Sequence, residues 1–294
     1  MRIKFIMAFI AITFFAVGNA QLRRPPLVEK SVELPGNFRL KYVEQGDPAG
    51  TPVIMLHGFT DSWYSYTMVL PFMPPSVHVY AVSMKGHGNS DRVATGYSPA
   101  EMADDVAAFM KTLHIKKAVV VGHSMGSVVA QSFGIQYPEM TNALVLISSF
   151  VSFQNNAQFV EFSKTVTNLK DPIDREFAAD FQRETSVKPV PQWFFKAAVD
   201  ESMKVHASVW HEVVKGLLKT DNTWKLDDIK RPVLVIWGDK DTFCPRQDQD
   251  ILSTIIRRSS LVVYKGTGHN VHWEEPRRFA DDLLSFLGRI GLRQ

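Results

Sequence analysis

A pentapeptide in mid-chain, Gly122-His123-Ser124-Met125-Gly126, constrains this sequence more than any other feature. It follows the apolar run Lys117-Ala118-Val119-Val120-Val121 and precedes a stretch of helical pattern over 127–136. A strand that ends in Gly-x-Ser-x-Gly and turns at once into a helix needs a sharp backbone reversal, which bulky flanking side chains would block. A serine held on such a turn projects its hydroxyl from the end of a sheet, where it can attack a substrate. An ordinary glycine-flanked turn is the bland alternative, and the rest of the chain has to separate the two.

Short apolar runs at 38–43, 53–56, 77–82, 118–121, 143–147, 233–237 and 261–264 read as strands. Most are continuous rather than alternating, as expected of strands buried on both faces of a mainly parallel sheet. Helical patterns separate them. One opens at Ser98-Pro99-Ala100-Glu101, with Ser98 as cap and Glu101 three residues on, and another runs over 275–287. Strands alternating with helices define an α/β fold with a doubly wound, mainly parallel sheet. The interval 150–229 breaks that rhythm: it is helical in pattern and carries eleven Phe and Trp but no Tyr. It reads as a helical cap inserted between two parts of the core, 21–149 and 230–294, and lying over the carboxyl edge of the sheet, where ligands bind in open α/β folds.

The first twenty residues have a different character. Arg2 and Lys4 precede an apolar run over 5–17, and Gly18-Asn19-Ala20 follows. A basic start, a short apolar segment and small residues at the cleavage point are the pattern of a secretory signal peptide, so an exported protein is expected, periplasmic or secreted. The alternative is an uncleaved membrane anchor. Cleavage after Ala20 removes two positive charges and no negative ones, so the net charge of +3 becomes +1. No Lys/Arg cluster suggests nucleic acid. The single cysteine, Cys244, excludes an internal disulfide and lies far from the N-terminus. No further long apolar segment argues for membrane insertion after cleavage.

A serine hydroxyl needs a base to take its proton and a third group to orient that base. Two later motifs supply them: Gly238-Asp239-Lys240-Asp241 after one apolar run, and Gly268-His269 after the last. Together with His57-Gly58-Phe59, Gly86-His87-Gly88-Asn89-Ser90 and the Ser124 pentapeptide, these segments resemble the α/β-hydrolase fold family, in its serine-nucleophile, esterase- or lactonase-like branch. The resemblance runs over about 28–287 except across the insertion. It implies Ser124 as nucleophile, His269 as base and then acid, Asp241 as the acid that orients it, and an oxyanion hole made by the backbone N–H groups of Phe59 and Met125. Asp239 is expected to be a structural turn carboxylate, and His57, His87 and His123 to support loops. His272 competes with His269, but the glycine before His269 favours the latter. No third or fourth ligand joins the two histidines, so neither metal nor cofactor is expected.

The sequence departs from the family's pattern in places. Relatives often carry Asp-x-Arg before Gly-His-Gly, where this chain has Ser83-Met84-Lys85, so a charge pair near the sheet edge is expected to be lost. Ser rather than Asp at the elbow argues against the branches in which a carboxylate attacks carbon. The glycine tract of many lipases is missing. The expected activity is hydrolysis of small to medium apolar carboxylic esters, with Trp63, Trp193 and Phe194 as pocket candidates. Lactone hydrolysis, carbon–carbon bond hydrolysis and a non-catalytic ligand receptor of the same fold stand as alternatives.

Overall fold

The computed structural model describes residues 27–154 and 156–292. The segment expected to be a signal peptide, 1–20, lies outside the described residues. Eight strands form one sheet: β1 (Lys30–Leu34), β2 (Phe38–Gln45), β3 (Thr51–Leu56), β4 (Val77–Ser83), β5 (Ala118–His123), β6 (Thr141–Ile147), β7 (Val233–Gly238) and β8 (Ser259–Tyr264). Their spatial order is β1-β2-β4-β3-β5-β6-β7-β8. The pairs β1/β2 and β2/β4 are antiparallel, and the other pairs are parallel. All seven expected strands are present. β1 was not expected: its segment, KSVEL, alternates exposed and buried residues as a short strand at the sheet's edge, beside β2 alone.

Alternation along the strands divides the core into two layers. Val53, Met55, Val119, Val121, Val145, Ile147, Leu234 and Ile236 face one side, against Phe279, Leu283 and Phe286 of the last helix, Pro276–Arg289. Ile54, Leu56, Val120, Leu144, Leu146, Val233 and Val235 face the other. There they meet α1 (Pro99–Thr112) and α2 (Met125–Gln136). The start of α1 is as the sequence indicates. The Ser98 hydroxyl accepts from the Glu101 amide at 3.3 Å, and the Glu101 carboxylate accepts from the Ser98 amide at 3.0 Å.

Four helices fill the interval between β6 and β7: α3 (Ala157–Thr167), α4 (Arg175–Glu184), α5 (Gln192–Ser202) and α6 (Ala207–Lys219). α6 is amphipathic at helical spacing, burying Ala207, Trp210, Val213, Val214 and Leu217. A single β-bridge between Ser152 and Asp221 brings the two ends of this interval together. Three further helices follow in the core, α7 (Arg246–Ile255), α8 (Val271–Glu274) and α9 (Pro276–Arg289). Among the described residues no helix is long and apolar enough to cross a membrane.

The charge pair expected to be lost near the sheet edge is replaced by another. Lys85 is buried, and its ammonium lies 2.8 Å from the Asp105 carboxylate of α1, 5.8 Å from the ring centre of Phe38 and 5.7 Å from that of Tyr97. The charge has found another partner, on a helix rather than in the loop. Burial raises the Asp105 carboxyl above its ordinary range, and Lys85 pulls it partly back. Lys85→Met should therefore lower the unfolding free energy by about 3–5 kcal/mol, because it leaves a buried carboxyl unpaired. Adding Asp105→Leu should recover most of that loss in denaturant unfolding. A double variant as unstable as the single one would show that the pair is not its source.

Candidate active site

Parallel pairing sets the ends of β3, β5, β6, β7 and β8 along one edge. Leu56 lies opposite Gly122, His123 opposite Ile147, Ile147 opposite Ile236, and Gly238 opposite Tyr264. The loops carrying Phe59, Ser124, Asp241 and His269 therefore emerge side by side. Ser124 stands between β5 and α2 with φ +50° and ψ −117°, a conformation L residues rarely adopt. Its amide donates to the Ile147 carbonyl at 2.9 Å, which ties the turn to β6. A Cβ on Gly122 would lie 2.1 Å from the Gly126 carbonyl oxygen, and one on Gly126 would lie 2.5 Å from that of Leu56. Both glycines are thus required by close backbone approach.

His269 Nδ1 lies 2.9 and 3.0 Å from the two carboxylate oxygens of Asp241. Asp241 is buried and also accepts from the Phe243 and Cys244 amides at 2.9 and 3.0 Å. With its oxygens so occupied, it fixes both the ring plane and the tautomer of His269, leaving Nε2 for the cavity. The link from the Ser124 hydroxyl to Nε2 is not closed by a hydrogen bond here. Such contacts often tighten only when substrate is bound. The His269 carbonyl accepts from Ser148 Oγ at 2.7 Å and His123 Nε2 at 3.1 Å, which holds the loop from behind.

The competing residues have other work. Asp239 accepts from the Gly266 amide at 2.6 Å, which keeps its carboxyl below the usual range. His272 is buried, with Nε2 2.9 Å from Ser65 Oγ. His57 donates from Nδ1 to the Gly58 carbonyl at 2.7 Å and accepts at Nε2 from the Met84 amide at 2.9 Å, so it braces the loop after β3. That loop contains Phe59, and Met125 is the first residue of α2, where helix amides lack intrahelical acceptors. Among the described residues neither the Phe59 nor the Met125 amide donates to a protein acceptor.

Phe59, Met125, Ser124 and His269 border one cavity of about 590 Å³. Its apolar wall comes from Phe153, Phe159, Phe162, Phe177, Phe181 and Phe243. Its carboxyl-bearing side chains are Asp61, Glu161, Asp180 and Glu184, and among the described residues no Lys or Arg lines it. The three pocket candidates lie elsewhere, which corrects that expectation. Trp63 donates from its indole to Glu29 at 2.7 Å. Phe194 is buried against Trp273 and Tyr64, in a separate cluster. Trp193, the next residue round the same helix, is 58% exposed. α5 thus packs beside the core, and the cavity is walled by α3 and α4. Asp61 was missed by sequence reasoning. It is buried in the turn after Phe59, and burial pushes its carboxyl up to about 7 against the pull of Gln182 and Ser65.

Asp241, Cys244 and His269 place one donor atom each within 4.8 Å of one another. Asp241 and His269 are already committed to each other, and burial raises the Cys244 thiol well above its usual range. A metal would need the thiolate that this setting disfavours.

A doubly wound sheet with a strained serine turn at its switch point and a carboxylate-braced histidine three strands away defines a hydrolase-type α/β protein. The family model for the alpha/beta hydrolase fold matches residues 51–276, and the chain belongs to that family. It is 27% identical over 275 residues to monoacylglycerol lipase ABHD6 of Rattus norvegicus, covering 86% of this chain and 80% of that protein. It is 26% identical to a putative 2-succinyl-6-hydroxy-2,4-cyclohexadiene-1-carboxylate synthase of Bacillus subtilis (strain 168), over 88% of this chain and 98% of the relative. Among solved structures, an esterase from Exiguobacterium antarcticum superposes with a TM-score of 0.78 at 20% identity, covering 89% of this chain and all of that one. A hydrolase from Pseudomonas aeruginosa PA01 gives 0.80 at 23% identity, covering 88% and 98%.

The imidazoles behind the site make stability depend on pH. Burial holds His57, His87, His123 and His272 below the ordinary imidazole value of 6.5, to about 4 for His87 and about 3 for His272. The unfolded chain binds these protons near pH 6.5, whereas the folded chain binds them only at lower pH. The stability from these neutral rings is therefore complete above about pH 6.5 and is lost as pH falls through the folded values, on the order of 3 kcal/mol for His87 alone. The urea midpoint should drop steeply between about pH 6.5 and pH 4. A midpoint constant over that range would contradict neutral buried imidazoles.

Proposed function

We propose that this protein hydrolyses neutral carboxylic esters with small to medium apolar acyl groups through an acyl-enzyme on Ser124. The observation that carries this reading is the joint exposure of Ser124 and the Asp241-braced His269 to one largely aromatic cavity. Ser124 Oγ would attack the ester carbonyl while His269 Nε2 takes the hydroxyl proton. The carbonyl oxygen becomes an oxyanion facing the Phe59 and Met125 amides, which stabilise it without reorganising. His269 then gives its proton to the departing alkoxide, leaving acyl-Ser124 and an alcohol. Water, deprotonated by His269, releases the acid and restores the serine.

The cavity's charges favour a neutral substrate. An acidic substrate, such as the carboxylate in the name of the Bacillus relative, would bring its charge against four carboxyl-bearing side chains, with no Lys or Arg among the described residues to meet it. This argues for esters over the acidic diketones of carbon–carbon bond hydrolases. Lactones present the same carbonyl to the same groups and are expected among the substrates. A cavity of this volume under helices α3 and α4 suits single acyl chains better than emulsified triglyceride.

Ser124→Ala should lower kcat/KM on p-nitrophenyl esters by about six powers of ten while leaving the unfolding midpoint near that of wild type. A fluorophosphonate should label wild type and not the variant. Labelling that survives in Ser124→Ala would put the nucleophile elsewhere, and a wild type that turns over no ester or lactone would favour the receptor reading.

Asp241→Asn should cost about four powers of ten in kcat, because it loses control of the histidine tautomer. Asp239→Asn should leave kcat within about threefold, since its carboxylate serves a turn at Gly266. Equal losses in steady-state assays of the two variants would mean that the acid is misassigned.

A further inference from the structure

The turn that carries Phe59 has an unusual backbone. The Asp61 amide donates to the Gly58 carbonyl at 3.2 Å, closing a four-residue turn with Phe59 second and Thr60 third. Thr60 has φ +69°. A positive φ at the third position of a turn is ordinarily met by Gly or Asn, and a β-branched residue there is strained. Such a conformation persists only where its surroundings over-determine it. From the core, His57 fastens the turn at Gly58. Thr60 is fully buried, and its hydroxyl is held from the inserted helices instead. The two N–H bonds of the Gln182 amide, on α4, serve three acceptors: Asp61 Oδ1 at 2.8 Å, Ser202 Oγ at 2.8 Å and Thr60 Oγ1 at 3.1 Å. Ser202, on α5, donates to the Ala198 carbonyl at 3.2 Å and has its hydroxyl oxygen 3.1 Å from that of Thr60. Among the described residues the Thr60 hydroxyl bonds to these two side chains alone.

The Phe59 ring leans on the same helices. It meets Trp210 of α6 edge-on with ring centres 4.8 Å apart, and Phe181 of α4, the neighbour of Gln182, at 6.0 Å. Thr60 therefore has its backbone strain opposed, and Phe59 its ring packed, by groups that come from the insertion. If Thr60 relaxed to a negative φ, the peptide that joins it to Phe59 would turn over and displace Phe59 at the cavity border. Taking the ester reading above as given, we infer that Gln182 is a positioning residue for the hydrolysis: through Thr60 it fixes the turn, and so fixes the Phe59 amide that the proposed oxyanion faces. The chemistry of the side chain suits this work. Only a neutral amide offers two donors on one rigid plane here, and the Asp61 carboxylate, which accepts from Nε2, sets which end of that amide points at the turn. A glutamate would have no N–H for Thr60, Asp61 or Ser202, and a methionine would fill the space without holding anything.

The test is steady-state hydrolysis of p-nitrophenyl butyrate by Gln182→Met, which keeps the bulk of the side chain and removes both donors. kcat should fall about a hundredfold with KM within about threefold of wild type, because a displaced amide is missed only in the transition state. Adding Thr60→Gly should recover at least about tenfold of that loss, since glycine takes a positive φ without outside support. A rise in KM with kcat unchanged would make Gln182 a substrate contact. A loss of kcat that Thr60→Gly does not repair would make it a packing residue. Either result overturns the inference. Hydrogen exchange at the Asp61 amide, whose N–H closes the turn, reads the same hold with no turnover. It should be at least about tenfold faster in Gln182→Met than in wild type and slow again in the double variant. Unchanged exchange in Gln182→Met would overturn the inference whatever the ester assays show. A wild type that cleaves no ester would sink the ester reading, and the exchange rates then decide whether Gln182 holds the turn. If Gln182→Met does not fold, Thr60→Val removes the hydroxyl at constant shape and should show the same fall in kcat and the same faster exchange; neither effect in Thr60→Val would overturn the inference.

Discussion

The whole site depends on how closely the first turn of α2 approaches the end of β3. Gly126 sits so near the Leu56 and His57 carbonyls that a methyl group there would lie 2.5 and 2.6 Å from their oxygens. This contact sets the first turn of α2 beside the loop that carries Phe59, and Phe59 and Met125 both border the cavity. It also bends the backbone at Ser124 into its strained conformation and holds the hydroxyl at the cavity. The strain is affordable because β5 lies in mid-sheet, with β3 and β6 on either side. A more mobile support would let the turn relax into an ordinary cap.

Behind that contact the protein keeps several imidazoles dry. His123 and His272 have ring centres 4.6 Å apart, and His57 and His87 lie 5.0 Å apart. Charged rings so close would repel one another in a medium that cannot screen them, and burial keeps them neutral. Neutral imidazole offers one donor and one acceptor on a rigid plane. His57 uses both to bridge Gly58 and Met84, and a hydrophobic side chain could not replace it without leaving the Met84 amide unsatisfied. Some polar capacity is still unmet, at His123 Nδ1, His272 Nδ1 and His87 Nε2. These groups hold loops in position at a cost in acid stability.

How much of this was legible in the sequence depended on how local each signal was. Ser124, Asp241 and His269 each follow a continuous apolar run, and strand ends on one edge of a parallel sheet fall together whatever else the chain does. Asp241 could be told from Asp239 by its place in a short motif, and the structure pairs Asp241 with His269 and Asp239 with Gly266. The readings that failed needed tertiary information. Trp193 and Phe194 are adjacent aromatic residues on a helix whose rotation against the core no short motif records. Phe177 and Phe181, four apart on α4, carried a usable sign in their helical spacing, since such pairs share a face. β1 escaped because five alternating residues do not stand out from loop. The partner of Lys85 lay twenty residues away on α1, beyond the reach of any loop motif.

Asp61 shows how a buried carboxyl can sit beside the Phe59 loop without bringing a fixed charge there. As an anion it would repel any negatively charged group that entered the cavity, in a setting where water screens the repulsion poorly. Burial raises its protonation into the neutral range, and the hydrogen bond from Gln182 moderates that rise without reversing it. The carboxyl is therefore poised between forms and can respond to what occupies the cavity. Gln182 belongs to α4, Ser202 to α5 and Thr60 to the loop after β3, so the same network ties the inserted helices to the loop that bears Phe59. Any shift of α4 would change the solvation of Asp61 and the placing of Phe59 together. The inserted helices thus reach the cavity bordered by Ser124 and His269 through a few buried hydrogen bonds as well as through the apolar walls they supply.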